Sequence, residues 1–181
     1  MIRAIMGTIA VLAGFAVVET SNGAGLGPAG SCKVTEAYML LRPGERVLVR
    51  AEPTPEGTVL AALAARDTGA ELTPLVVTVT GSKKGWARIT LSPEDYAAGD
   101  GRPHAHGWLP ADVLAVNTRL DGVVTVYDRP GLLGDVIGRI ENQDQTFRML
   151  GCRGSLLQVI NATEGNIWID RWCAKARGCR S

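Results

Sequence analysis

The sequence lacks the short motifs that mark many enzymes and cofactor-binding domains. No G-x-S-x-G nucleophile elbow and no P-loop occurs in its 181 residues. The only two histidines, His104 and His106, lie in a Pro- and Gly-rich stretch, which is more typical of solvated turn residues than of a metal site. Glu94 and Asp95 are adjacent in the same stretch, where neighbouring side chains diverge. Although a dispersed Ser-His-Asp triad stays open, we expect no catalytic residue, no metal and no cofactor.

An excess of charge of either sign and a second long apolar run are also missing. The formal net charge is +1, so the chain lacks the basic surface typical of nucleic-acid binding. One uncharged run, Ala4 to Val18, follows Arg3 and precedes small residues, and it is shorter than the roughly 20 residues of a membrane-spanning helix. We therefore predict a signal peptide at 1–25 and a mature chain without stable membrane insertion, with lipid modification at Cys32 as the alternative.

Cysteine is scarce, and the number of cysteines is even. The chain has 4 cysteines, all beyond the predicted signal peptide: Cys32, Cys152, Cys173 and Cys179. An even number in an exported chain predicts disulfide bonds, whereas the spacing does not match a zinc site. These observations predict a periplasmic or secreted protein.

A repeated pattern organises the rest of the chain. Residues 47–63, VLVRAEPTPEGTVLAAL, match residues 124–140, VTVYDRPGLLGDVIGRI, at a shift of 77. Alternating β-branched residues open each copy and predict a strand, which ends before a proline. Residues 59–66 are alanine-rich, but their counterpart carries a central glycine, so we predict an extended or irregular segment there rather than a long helix.

The match continues to the end of both copies. Residues 76–89 align with 146–159 at a shift of 70, and Trp108 aligns with Trp168 at a shift of 60. Four or five short strands per copy predict an all-β chain of two small barrels. The predicted boundaries are an N-terminal arm at 26–44, a first domain at 45–116, a linker at 117–122, and a second domain at 123–181 that ends in a cysteine-bearing tail.

The order of these elements resembles the bacterial SH3-like domain. The motifs are VLVRAEPTPEGTV, GWARI and GWLPADVL in the first copy, and VTVYDRPGLLGDVIGRI, SLLQV and IWIDRW in the second. The resemblance implies two SH3-like barrels in tandem that form a non-catalytic binding module of the cell envelope. It implies peptidoglycan or an envelope protein or peptide as the partner. An exported enzyme or enzyme inhibitor of undetected type is the alternative.

The same resemblance implies a disulfide pairing and a set of binding residues. It favours Cys152–Cys173 with Cys32–Cys179 over the two other connectivities. Aromatic side chains beside turns suit a shallow groove for extended ligands. The candidate ligand-binding residues are Tyr127, Trp172, Trp86 and Trp108. For Trp108 and its counterpart Trp168 we favour a role as core residues, and Leu156, which replaces a tryptophan, predicts a weaker aromatic surface in the second copy.

Overall fold

The described part of the chain is built from β-strands. The computed structural model describes residues 31–64, 66–67, 72–90, 106–118, 122–131, 133–141 and 143–175. Within these ranges it contains no α-helix, and a single turn of 3-10 helix spans Ala111–Val113. The predicted signal peptide, Glu94, Asp95, His104 and Cys179 lie outside the described residues. Among those described, no helix has the length and hydropathy needed to cross a membrane.

Nine strands lie up to residue 117 and five follow it. The first nine are β1 (Ser31–Met39), β2 (Arg46–Arg50), β3 (Val59–Ala64), β4 (Arg66–Asp67), β5 (Leu72–Thr73), β6 (Val76–Lys83), β7 (Trp86–Thr90), β8 (His106–Pro110) and β9 (Leu114–Asn117). The others are β10 (Val123–Tyr127), β11 (Val136–Glu141), β12 (Thr146–Arg153), β13 (Leu156–Asn161) and β14 (Gly165–Ile169).

Twelve of these strands form one large antiparallel sheet that does not close. Its order is β11-β10-β14-β13-β12-β9-β1-β6-β7-β8-β2-β3, and β4 pairs with β5 separately. The sheet contains two five-stranded arrays with the same internal order: β3-β2-β8-β7-β6 and β11-β10-β14-β13-β12. Strands β1 and β9 pair with each other between the two arrays and join them.

The two arrays also share their irregularities. The register shifts between Val49 and Arg50 in the first array and between Val126 and Tyr127 in the second. A second shift precedes Gly81 in β6 and Gly151 in β12. Such bulges increase the local twist and redirect the side chains beyond them, so corresponding strands of the two arrays bend at corresponding residues.

A glycine four positions after the proline in each copy, Gly57 after Pro53 and Gly134 after Pro130, allows the loop to turn tightly. A Cβ atom on Gly134 would lie 2.2 Å from the carbonyl oxygen of Arg129, and one on Gly57 would lie 2.9 Å from the carbonyl oxygen of Glu52. Both positions therefore exclude a side chain because backbone of the same loop occupies the space. Gly57 and Gly134, which align at the shift of 77, thus have the same steric role in both loops.

The alanine-rich segment forms a strand, which confirms the prediction for Val59–Ala64. Val47 pairs with Leu63 and Val49 pairs with Ala61, and all four side chains are buried. Alternate burial along β3 lets its small side chains pack beside β2. Pairing with a neighbouring strand therefore outweighs the helical preference of alanine.

A single core extends through both arrays. Its buried members come from every strand of the large sheet, and the side chains of β9 are all buried. Asn117 N–H donates to the Cys173 carbonyl at 2.9 Å, and Thr118 N–H donates to the Gln145 carbonyl at 3.1 Å. Asn117 and Thr118, at the start of the predicted linker 117–122, thus belong to the buried part of the sheet.

The predicted N-terminal arm contains a central strand that the sequence did not indicate. Strand β1 pairs with β6 on one side and with β9 on the other. Ala37, Tyr38 and Met39 are buried at its end. Because residues pointing to both sides are buried there, the strand lacks the clean alternation by which half-buried strands are recognised.

Candidate binding site

The tryptophans of β8 and β14 lie on the face of the sheet opposite the core. Gly107 and Leu109 are buried on either side of Trp108, whereas the Trp108 side chain is only partly buried. In β14, Ile167 and Ile169 are buried around the partly buried Trp168. Our interpretation of these two tryptophans as core residues was therefore wrong. Alternation along each strand assigns the core positions to the residues beside them.

On the first array, tryptophan and basic side chains share the outward face. Trp108 is paired with Arg88 on β7 and with Arg50 on β2. Trp86 is paired with Lys83 and lies diagonally from Trp108. Directly paired residues point to the same face, with Cβ atoms about 4.5–5.5 Å apart, so cations flank the rings at distances that permit cation–π contacts. Two predicted binding residues, Trp86 and Trp108, thus share one surface.

On the second array, the corresponding row is Tyr127, Trp168 and Gln158. Tyr127 pairs with Trp168 across β10 and β14, and Trp168 pairs with Gln158 across β14 and β13. All three side chains are partly buried. Tyr127 therefore lies beside a tryptophan that the sequence analysis had assigned to the core. The signal that could have identified Trp168 is its alternation with Ile167 and Ile169.

A cleft of about 410 Å³ opens beside Trp168. One wall belongs to the second array, and the other is the turn between β6 and β7 of the first. The volume lies within the range of about 300–1,000 Å³ that is usual for small-ligand sites. The lining side chains that bear on function are Trp168, Gln158, Pro130, Arg153, Lys83 and Lys84.

Trp172 lies in a different cleft, of about 370 Å³. Its indole N–H donates to the carbonyl oxygen of Glu36 at 3.2 Å, and its ring packs partly against the core. Lys33, Val34 and Ser155 line the same cleft. The structure therefore does not bring Trp172 together with Tyr127, although both were predicted to bind ligand.

A disulfide bond and a short hydrogen-bonded bridge hold the wall between the two clefts. Cys32 is bonded to Cys152, with 5.5 Å between the Cα atoms. Lys33 N–H donates to the Gly154 carbonyl at 2.7 Å, and Gly154 N–H donates to the Ser31 carbonyl at 2.9 Å. The turn after β12 is thus fixed to the start of β1 beside both clefts.

The disulfide corrects the pairing that the family resemblance implied. Cys152 bonds Cys32, not Cys173. Cys173 is also disulfide-bonded, and its partner lies outside the described residues. The preferred connectivity failed because β1, which the sequence did not reveal as a central strand, brings Cys32 to the turn that holds Cys152.

The described residues contain no group of three or more His, Cys, Asp or Glu side chains that could hold a metal ion. His106 is exposed, and its Nδ1 lies 3.5 Å from the Thr90 hydroxyl. In the cleft beside Trp168, the ionisable side chains are Lys83, Lys84 and Arg153, and Cys152 is in a disulfide. This set of side chains can bind an anion and stack on a ring, and the Ser82 hydroxyl in the same lining is hydrogen-bonded to the Cys152 backbone.

Comparison with known proteins adds no relative. No protein-family model, no curated protein and no solved structure matches the chain. The candidate site is therefore defined by this chain's own geometry: an outward tryptophan, a neighbouring amide and three cations around one cleft.

Proposed function

We propose that the chain is a non-catalytic binding module of the cell envelope that recognises peptidoglycan or a partner protein or peptide. The observation that carries the proposal is the cleft beside Trp168, which combines an aromatic face with the Gln158 amide and basic side chains. An aromatic floor with a few polar groups is the usual composition of a site that binds an extended ligand by stacking and hydrogen bonds.

We also propose that the two arrays are tandem copies of one SH3-like unit. Their common strand order and common bulges support this, as does the pairing of Trp108 and Trp168 with equivalent neighbours. In this proposal the two copies share one core through β1 and β9 and do not fold as independent domains. Two outward aromatic faces on one rigid body suit a ligand with repeated units, because simultaneous binding increases the apparent affinity.

The proposed location is the periplasm or the extracellular space. Disulfide bonds persist in oxidising compartments and are rare in the cytosol. The Cys32–Cys152 bond joins residues separated by 120 positions, and Cys173 is bonded as well. A chain with these bonds is suited to work outside the cytoplasm, where cell-wall material is accessible.

Retention of the purified, oxidised protein on isolated cell-wall sacculi tests the proposal. We expect Trp168→Ala to reduce retention, whereas Trp172→Phe, which keeps the aromatic ring, should leave it unchanged. Retention of an envelope protein in place of sacculi would identify the partner as a protein. If neither is retained, or if the purified protein hydrolyses wall material in a reaction abolished by one side-chain change, the binding proposal is wrong.

A further inference from the structure

The cleft beside Trp168 has a local charge that the neutral composition of the chain does not suggest. Lys83 ends β6 and Lys84 follows it in the turn of the first array, whereas Arg153 ends β12 of the second. Among the described residues, no aspartate or glutamate lines the cleft, and none forms an ion pair with any of the three cations. Two parts of the chain separated by 70 positions thus converge to make a basic site.

Arg153, which lines this cleft, has an unsatisfied donor. Its Nε is buried and has no hydrogen-bond partner among the described residues. A buried donor without a partner is costly, and charged groups are costlier than neutral ones. Arg153 also lines the cleft, and its planar guanidinium fork matches the two oxygens of a carboxylate.

Lys84 has a left-handed backbone conformation, which asparagine and glycine adopt more readily than lysine. Lys84 has φ of 49° and Gly85 has φ of 80°, in a two-residue turn between β6 and β7. Positive φ at both central residues is the type I′ arrangement, in which asparagine followed by glycine is preferred. The turn alone therefore does not explain the lysine. Its charge faces a cleft that already contains two other cations.

The opposite wall supplies groups for the uncharged part of a ligand. Gln158 donates through Nε2 to Asn166 Oδ1 at 3.1 Å, which leaves its own Oε1 as an acceptor. Gly151 adds no side chain between Gln158 and Ser82. Trp168 provides an apolar face beside them. An amide N–H next to an apolar group would be recognised here.

We propose that this cleft is a subsite for a free carboxylate on a short peptide. In this subsite, Arg153, Lys83 and Lys84 hold the carboxylate, Gln158 Oε1 accepts a peptide N–H, and Trp168 packs against the adjacent apolar group. The inference rests on the binding function proposed above and specifies the ligand chemistry. Peptides of the cell wall and the C-termini of envelope proteins both carry this chemistry.

Binding is measured by calorimetry with two pairs of probes and the oxidised protein. The first pair is muropeptides in native form and with their carboxyl groups capped as methylamides. The second is an apolar hexapeptide with a free C-terminal carboxylate and its C-terminal amide. We expect the free carboxylate to bind at least about tenfold more tightly than the capped form, the effect of roughly one charged hydrogen bond.

Three variants test the residues. Arg153→Gln should weaken binding of the free carboxylate about tenfold, and Lys83→Gln by a smaller factor, because exposed charges are screened. Lys84→Asn should weaken binding while keeping the fold, since asparagine suits the turn. Arg139→Gln removes an exposed positive charge from β11, outside the cleft, and should bind like the parent protein.

The outcomes separate this inference from the proposed function. Equal affinity for free and capped probes, or an equal loss in Arg139→Gln and Lys84→Asn, would overturn the carboxylate subsite and leave the binding function standing. Preference for the muropeptide or for the hexapeptide identifies the source of the carboxylate. Failure to bind every probe together with failure to retain sacculi and envelope proteins would overturn both proposals.

Discussion

Ser82 and Cys152 form a reciprocal pair of hydrogen bonds across the two arrays. Cys152 N–H donates to Ser82 Oγ at 2.9 Å, and the Ser82 hydroxyl donates to the Cys152 carbonyl at 3.1 Å. The residues immediately follow the bulge glycines Gly81 and Gly151 in equivalent strands. The contact is therefore made by corresponding positions of both arrays and fixes one wall of the basic cleft against the other.

Replacing Ser82 with alanine should destabilise the protein. Both bonds would be lost, and the Cys152 backbone groups would be left without these partners, at a cost of about 1–3 kcal/mol. The free energy of unfolding from urea titration measures this. Thr163→Ala serves as the control because Thr163 is exposed in the turn before β14. An equal loss in both variants would show that the contact between the arrays contributes nothing.

Removing the Cys32–Cys152 bond should have a larger effect. The bond closes a loop with a sequence separation of 120, and loops of this length predict about 4–5 kcal/mol of stabilisation from restriction of the unfolded chain. We expect Cys32→Ala/Cys152→Ala to lower the free energy of unfolding by several kcal/mol. Peptide mapping without reductant should recover residues 32 and 152 in one linked pair; four free thiols in envelope-extracted protein would contradict the bond.

Three glycines, Gly57 in the first copy and Gly134 and Gly138 in the second, differ in the space that surrounds them and so provide a graded steric test. Gly134→Ala should be severely destabilising because its Cβ would lie 2.2 Å from a backbone oxygen, and Gly57→Ala should be milder at 2.9 Å. Gly138→Ala should be close to neutral, since the nearest atom would be 3.8 Å away at ordinary contact distance. Thermal unfolding ranks the three. A different ranking would show that these loops adjust freely.

Strand patterns in the sequence were informative where one face of a strand is buried. They predicted β2, β3, β10 and the turns between them, and the match with the second copy correctly placed a strand in the alanine-rich segment. They did not reveal β1, because its buried end is covered on both faces. They also did not distinguish Trp108 from Leu109 as the inward residue, because both are apolar and alternation alone does not label the faces.

The residues of the candidate site were harder to predict from the sequence than the strands were. Lys83 and Arg153 occupy equivalent positions of the repeat, but their meeting depends on how the arrays pack at Ser82 and Cys152. The disulfide pairing likewise depends on β1, whose position in the sheet is not a local property. Residues brought together by packing between arrays leave no spacing pattern in the chain.

Burial of Tyr38 should make stability sensitive to alkaline pH. Burial raises the pKa of the Tyr38 hydroxyl above the ordinary value of 10.0, against the smaller effect of its hydrogen bond with Thr146. Above pH 10 the unfolded chain loses this proton first, so stability falls as pH rises from 10 towards the folded pKa. Below pH 10 the group has no pH-dependent effect.

The variant Tyr38→Phe separates this titration from other alkaline effects. At neutral pH it should be less stable by about 0.5–1.5 kcal/mol because the bond to Thr146 is lost. Above pH 10, its stability should fall less steeply than that of the parent protein. Urea titrations at neutral and alkaline pH measure both effects; parallel pH profiles would show that Tyr38 does not titrate differently in the folded state.

The two outward aromatic faces should contribute jointly to binding of a polymer. Trp108 and Trp168 occupy equivalent positions of two arrays that belong to one sheet and share one core, so we expect the two sites to act as one unit. Linked weak sites can gain avidity of about 10²–10⁴ over one site. Trp108→Ala and Trp168→Ala should therefore each reduce retention on intact sacculi much more than binding of a monomeric fragment to the remaining face.

Point substitutions are the suitable test because cutting the chain would divide the sheet. The predicted linker region begins within β9, which pairs with β12 of the second array and with β1. Separated halves would each expose core residues, and their loss of binding would say nothing about avidity. If each single variant retains half of the sacculus binding and the double variant loses it all, the two faces act independently and the bivalent interpretation is wrong.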